Sequence, residues 1–322
     1  MQRFLRIATA LLFASVASMA AAQSYPSQPI KIIVPFAPGG TTDAVARTIA
    51  HALGEEINQS VIVQNKGGGS TIIGTEALAR SEPDGYTIML ATPDFTINPS
   101  LRRNLPYDTK KDFTPITLIA SYSMVLLVNS ESGINSVGDL LALARKQPGA
   151  LNFASAGSGS MPHLCGELLN ELADVKITHV PYKGNGPAIT DLLGGRVTML
   201  FSGATPVEGF LKAGKLRALA VTGKERHRSL PDVPTLAESG VPGYEVTAWF
   251  GFLAPANVPS EIVSKLNQSI GKALNSAEVR AQLAGLGADL EASTPEQFGT
   301  LIDSEISKWA QVVKNAGIEA DS

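Results

Sequence analysis

"IIVPFAPGGTTDAVARTIA", Ile32 to Ala50, decides how the chain is read. The run "IKIIVP" (Ile30 to Pro35) has the length and β-branched character of a buried strand. Pro38, Gly39 and Gly40 break it. From Thr42 to Leu53 the apolar residues Ala44, Val45, Ile49 and Ala52 recur at helical spacing. A helix beginning there aims free N–H groups at the turn, which suits an anion without any lysine. Thr41 and Thr42 are placed to cap the helix or bond a ligand, and Asp43 suits the dipole of the first turn. A plain capped helix after a tight turn has the same signature, so the turn alone does not establish a ligand.

Working outward, the pattern repeats. "SVIVQN" (Ser60 to Asn65) predicts a second strand, then come glycines 67 to 69 and a helix over Ile72 to Ala79. "YTIML" (Tyr86 to Leu90) predicts a third strand. This βαβα order favours a parallel sheet covered by helices. It resumes around Val125 with "MVLLVN", a helix over Ser136 to Lys146, "LNFAS", a helix over Pro162 to Leu172, and "ITHVPY". "PAITDLLGG", "RVTMLF", a helix over Pro206 to Ala213 and "LRALAVTG" follow. Two similar blocks with no low-complexity linker indicate two lobes. "VTAWFGFLAP" leads into helices over Glu261 to Leu274, Ala277 to Ala284 and Pro295 to Ala316, the last two with the amphipathic spacing of a packed outer layer.

The N-terminus has Arg3 and Arg6, a 13-residue apolar run from Ile7 to Met19, then Ala20 to Ala22. That is the layout of a secretory signal peptide, residues 1–22, and the run is too short for the ~20 residues that span a bilayer. Its removal takes the formal charge from -3 to -5 and leaves 300 residues, enough for one large or two ordinary domains. Mild acidity points away from nucleic acid. The one cysteine, Cys165, cannot form an internal disulfide and lies on an apolar helical face, where a buried structural thiol is expected.

Further glycine turns are candidates for binding. "NKGGGSTIIG" (Asn65 to Gly74) lacks the Gly-x-Gly-x-x-Gly spacing of a dinucleotide site. "FASAGSGSMPHLCGELL" interleaves Gly157, Ser158, Gly159 and Ser160 before a helix whose first turn holds His163. Hydroxyls, backbone N–H groups and an imidazole there can converge on one oxyanion, with Ser160 also placed to cap the helix. "HVPYKGNGPAITD" puts Asn185 and Gly186 before a short helix, with Tyr182 and Lys183 alongside. "FSG" (Phe201 to Gly203) and "AWFG" each follow a strand; Trp249 and Phe250 are placed to wall a cleft, and each stretch alone reads equally as core or loop filling.

Enzyme readings fail on spacing. Ser158 lacks the Gly-x-Ser-x-Gly of a nucleophile elbow, because Ala156 occupies the first glycine position. "GFLKAGKL" has Leu216 where a phosphate loop needs a magnesium-binding hydroxyl. His51, His163, His179 and His227 show no ligand spacing, and one cysteine removes thiolate clusters. No cofactor is expected.

The blocks "PFAPGGTTDAVAR", "GTEALARSEPDGYTI", "NPSLRRNLPYDTKKDFTPIT", "GSGSMPHLCGEL", "HVPYKGNGPAITDLLGGRV" and "AWFGFLAP" together resemble the extracytoplasmic solute-binding receptors of tripartite tricarboxylate transporters, the Bug family. The similarity spans about Pro26 to Ala316. It implies an α/β, two-lobed periplasmic binding protein fold of the second type, each lobe a mixed sheet covered by helices. Lobe one would hold residues 23–124 and 247–322, lobe two residues 125–246. It further implies a monomer in the periplasm that binds a small organic carboxylate between the lobes: a di- or tricarboxylate, an acidic amino acid or an aromatic acid. The closed form would be recognised by two integral membrane subunits. Family pattern places ligand contacts at Phe36, Gly39, Gly40, Thr41 and Asp43 in one lobe, and at Gly157, Ser158, Gly159, Ser160, His163, Asn185, Gly186, Ser202 and Gly203 in the other. Asp94 and Phe95 depart from the usual small polar residues; facing the cleft, they would repel a second carboxylate or pair with an amine, and favour an apolar ligand body. A periplasmic sensor is the alternative function, with a hydrolase behind it.

Overall fold

The computed structural model describes residues 25–39, 41–182 and 184–318. The signal segment, Gly40 and Lys183 lie outside the described residues. Two mixed sheets organise the chain. The first has the order β11-β4-β10-β3-β1-β2, built from β1 (Ile30–Val34), β2 (Val61–Asn65), β3 (Thr87–Ala91), β4 (Phe113–Ser123), β10 (Thr247–Pro255) and β11 (Asp289–Leu290). The second has the order β7-β6-β8-β5-β9, from β5 (Val125–Asn129), β6 (Asn152–Ser155), β7 (Thr178–Pro181), β8 (Met199–Ser202) and β9 (Leu216–Val221).

β1 lies centrally between parallel partners β2 and β3, so both its faces are covered and it reads as a continuous apolar run. Ile30, Ile32 and Val34 pack on Val45, Ile49 and Leu53 of helix α1 (Thr41–Ile57). Ile33 turns to the opposite layer with Met89, Trp249, Leu253 and Phe298. Helix α2 (Ile72–Ala79) follows β2, and α3 (Asp94–Leu101) follows β3. In the second lobe, α4 (Val137–Lys146) and α5 (Met161–Ala173) cover Leu126, Phe153 and Phe201. The short helix α6 (Asn185–Leu193) covers Leu127, Ala154 and Leu200 from the other side; α7 (Glu208–Lys212) follows β8, and α8 (Ser260–Ala273) follows β10.

One buried threonine ties both crossings between the sheets. Thr222 Oγ1 accepts the Met124 N–H at 2.8 Å and donates to the Val246 carbonyl at 2.7 Å. The Thr222 backbone completes the pair, donating to Met124 O and accepting from Val246 N. Where the chain leaves the first sheet and where it returns are therefore fastened to the same residue.

Two elements differ from the sequence reading. The outer-layer expectation holds for α10 (Pro295–Asn315), which buries Phe298, Ile302, Trp309, Val312 and Val313. It fails for α9 (Ala277–Gly285), which buries only Val279 and Leu283. The C-terminal part of α10 also does more than complete the first lobe. Trp309, Val312 and Val313, with Ile97 and Leu101 of α3, sit in the same core cluster as Leu164, Leu168 and Phe201 of the second lobe. The lobes thus share apolar packing beside their covalent crossings.

Candidate functional site

Between the sheets lies a cavity of about 290 Å³. Phe36, Thr41, Thr42, Thr92, Pro93, Asp94, Tyr122, Met124, Ala248, Phe250 and Leu286 line it from the first lobe and the crossing, and Ala156, Met161, Pro162, Asn185, Gly203, Thr205 and Pro206 from the second. The N-terminal ends of α1, α3, α5 and α6 all converge here. Each such end carries N–H groups with no intrahelical acceptor and a partial positive charge. Among the described residues, no lysine, arginine or histidine lines the cavity. The partial positive charges that face it are therefore those of backbone N–H groups at the helix ends. Phe36, Tyr122 and Phe250 supply apolar walls, with the Tyr122 and Phe250 ring centroids 5.7 Å apart.

Seven of the sequence-derived candidates line this space: Phe36, Thr41, Thr42, Asp94, Asn185, Gly203 and Phe250. Gly40 lies outside the described residues. The others have different places. Gly39, at φ +88°, donates its N–H to Asp43 Oδ2 at 2.9 Å. Asp43 is buried and also accepts from Arg47 Nε at 3.0 Å and Asn65 Nδ2 at 2.9 Å. The Arg47 hydrogen bond foremost, helped by those from Gly39 and Asn65, holds its carboxyl down at about 2, against the opposing effect of burial. Asp43 braces the turn instead of facing the cavity. The run "NKGGGSTIIG" is a second brace. A Cβ on Gly67 would come within 2.9 Å of the Ala37 nitrogen, and one on Gly74 within 2.8 Å of Lys66 O and 2.7 Å of Pro35. Those glycines let the chain pack directly behind the Pro35 to Gly39 turn.

Phe95, expected at the cleft, lies in the core, with its ring edge-on to Phe113 at 5.1 Å. Helical geometry explains it: Asp94 and Phe95 are adjacent on α3, so they cannot share a face. Trp249 is likewise core, while its neighbour Phe250 reaches the cavity across the alternation of β10.

The Gly157 to Ser160 loop lies between the lining residues Ala156 and Met161. Ser158 is exposed. Ser160 occupies the N-cap position, yet its hydroxyl donates to Gly157 O at 2.7 Å and makes no cap bond. His163 is buried behind the loop, and its Nδ1 accepts the Gly159 N–H at 2.9 Å. Its ring stacks on His179 with centroids 3.7 Å apart, and Nε2 is 3.5 Å from Glu167 Oε1. His179 Nε2 is 2.6 Å from Ser155 Oγ, which in turn accepts the Gly157 N–H at 3.1 Å. Burial first, then the neighbouring His163, holds the His179 imidazole down at about 4, against the pull of Glu167. His163 and Ser160 are thus internal supports of the loop. Ser155 has no solvent-accessible surface, so its contact with a histidine offers no exposed nucleophile.

Gly186 is exposed in the first turn of α6, its carbonyl accepting from Thr190 Oγ1 at 3.1 Å. Ser202 is fully buried, with no partner for Oγ among the described residues. The Tyr182 hydroxyl is spent on Asp191 at 2.7 Å. Cys165 is free and buried, and burial pushes its thiol up to about 12. Sequence reasoning missed Tyr122, Met124, Ala248, Thr205, Pro206 and Leu286 as cavity residues. The first three flank the crossings, and their proximity to the predicted lobe change was the available signal. Among the described residues no three potential metal ligands cluster, and no helix is long and apolar enough to cross a membrane.

Comparison with known proteins agrees with this architecture. Residues 45–318 match the family described as "Tripartite tricarboxylate transporter family receptor". Protein BugT of Bordetella pertussis is 38% identical over 306 residues, covering 94% of each chain. Among solved structures, R. palustris Rpa4515 with adipate superposes with a TM-score of 0.78 at 38% identity, over 92% of this chain and 99% of that one. MatC from Rhodopseudomonas palustris with bound malate gives 0.75 at 33% identity, over 90% and 100%. The chain belongs to the tripartite tricarboxylate transporter receptor family, the Bug-type periplasmic solute-binding receptors.

Proposed function

We propose that this chain is exported to the periplasm, holds a small organic carboxylate in the cavity between its lobes, and hands it unchanged to a secondary transporter. The observation that carries the reading is the convergence of helix N-termini from both lobes on a cavity without basic side chains among the described residues. Such ends bind anions through fixed N–H groups. The adipate and malate of the two structural relatives support a carboxylate as ligand. Lobe one comprises residues 23–124 and 247–322, and lobe two residues 125–246. Phe36, Thr41, Asn185 and Gly203 contact the ligand. Gly39, Asp43, Gly157, Gly159, Ser160 and His163 hold the loops that do so.

The ligand bridges both lobes and shifts an open–closed equilibrium toward closed. A monomer in that state is recognised by two integral membrane subunits. The sealed position of Ser155 supports a receptor without catalysis.

The test is a thermal-shift screen of mature protein that has been unfolded, stripped of ligand and refolded, against mono-, di- and tricarboxylates, amino acids and aromatic acids. A ligand at 100 times its Kd stabilises the folded state by about 2.7 kcal/mol, a readily measured shift. One class should raise the midpoint with concentration and be recovered intact. Well-folded protein that answers to none of them, or that converts one, would overturn the proposal.

A further inference from the structure

Asp94 is the one ionisable carboxylate among the described cavity-lining residues, and it enters a space with no basic side chain among them. Its position at the start of α3 suits a carboxylate on dipole grounds alone. That bland role does not explain its surroundings. Thr92 Oγ1 donates to Oδ2 at 2.9 Å, and among the described residues no cation pairs with Asp94. Burial pushes the carboxyl above its ordinary value. A second acceptor, Asn185 Oδ1, is buried on the opposite lobe with no donor among the described residues. Aromatic rings of Phe36, Tyr122 and Phe250 stand on the same walls.

A simple dicarboxylate fits these features poorly. Its second charge would share an enclosed space with Asp94, and neither acceptor would gain a donor. A ligand with a protonated nitrogen answers both needs. It gives Asp94 a counter-charge, supplies N–H donors to unpaired oxygens, and benefits from nearby aromatic faces. Its carboxylate remains for the helix ends.

We propose that the ligand of this receptor carries a protonated nitrogen as well as a carboxylate, and that Asp94 is the residue that selects for it. The inference rests on the reading of the cavity as the ligand site.

The experiment is calorimetry on ligand-stripped, refolded protein with five probes of equal carbon number. Pentanoate and glutarate lack nitrogen; 5-aminopentanoate, L-2-aminopentanoate and L-glutamate carry it. At pH 7.5 at least one nitrogen-bearing probe should bind at least about tenfold tighter than both nitrogen-free ones. Asp94→Asn, which keeps an acceptor for Thr92, should erase that preference while leaving circular dichroism and thermal midpoint near those of the parent. Glutarate binding as tightly as any aminated probe would overturn the inference and leave the carboxylate receptor intact. So would glutarate binding that strengthens on acidification, because Asp94 would then be serving as a neutral donor. Failure of folded protein to bind any of the five probes would overturn the inference, and the wider carboxylate screen then decides the receptor reading separately.

Discussion

His179 gives the structure a pH dependence whose sign can be worked out. Its ring stacks on His163 at 3.7 Å and its Nε2 lies 2.6 Å from Ser155 Oγ. Burial and the adjacent imidazole hold it down at about 4 when folded, whereas an unfolded histidine titrates near 6.5. Between those values the unfolded chain binds the extra proton, so acid favours unfolding. The stability is whole above pH ~6.5 and falls away as pH drops toward about 4. The full shift corresponds to about 3 kcal/mol, and the partial exposure of His179 reduces it to roughly 1–2. His179→Gln removes the titration and keeps an amide near Ser155. Urea unfolding of both proteins at pH 7.5 and 4.5 isolates the effect, since carboxylate titrations common to both cancel. The parent's stability relative to the variant should fall by about 1–2 kcal/mol across that range. A difference that does not change with pH would refute the buried, stacked pair as the cause. Because Gly157 and Gly159 hang on Ser155 and His163, ligand affinity should weaken over the same window.

Other residues give separable outcomes. Phe95→Leu should cost about 1–3 kcal/mol in urea unfolding with ligand affinity unchanged, since the ring is core; loss of affinity at full stability would return it to the cleft. Asp43→Asn should lower stability at pH 7 by about 2 kcal/mol, and the gap should narrow in acid, because a carboxyl held at about 2 loses its contribution as pH falls through that value. Gly159→Ala places a Cβ 2.4 Å from Leu101 Cδ1 at φ +75°, so it should cost about 1–3 kcal/mol and slow or weaken ligand capture in stopped-flow fluorescence.

Much of the first lobe could be read because its signals are local. β1 is buried on both faces, and the turn after it needs glycine at Gly39, so an apolar run followed by Pro and Gly was sufficient. Elements that depend on partners were harder. β4 carries Pro115, tolerated because the short β11 pairs only with Ala120 and Ser121 and leaves that stretch at an open edge. The helix Asp94–Leu101 holds Pro99 and was missed with it. For the site, glycine turns marked the right regions but not the division of labour within them. Whether His163 faces a ligand or braces Gly159 depends on which side of α5 meets Phe153 and His179, a tertiary fact. Trp309 inside the second lobe's core is of the same kind.

A second cavity offers a direct rival for the ligand. It lies on the crossing side, measures about 410 Å³ and is lined by Lys224, Arg226 and Arg228 with Glu225, Glu245 and Asp289. Two of its three named basic groups are already engaged, Arg226 with Glu238 and Arg228 with Asp289, and among the described residues that line it no helix N-terminus appears; Lys224 is the basic group there that could draw an anion. The decisive measurement is a crystal structure of the refolded protein with the compound giving the largest thermal shift. Density between Phe36 and Phe250, its carboxylate at the start of α1 or α6, is the predicted result. Density beside Lys224 and Arg228, with the cavity between the lobes empty, would contradict the account.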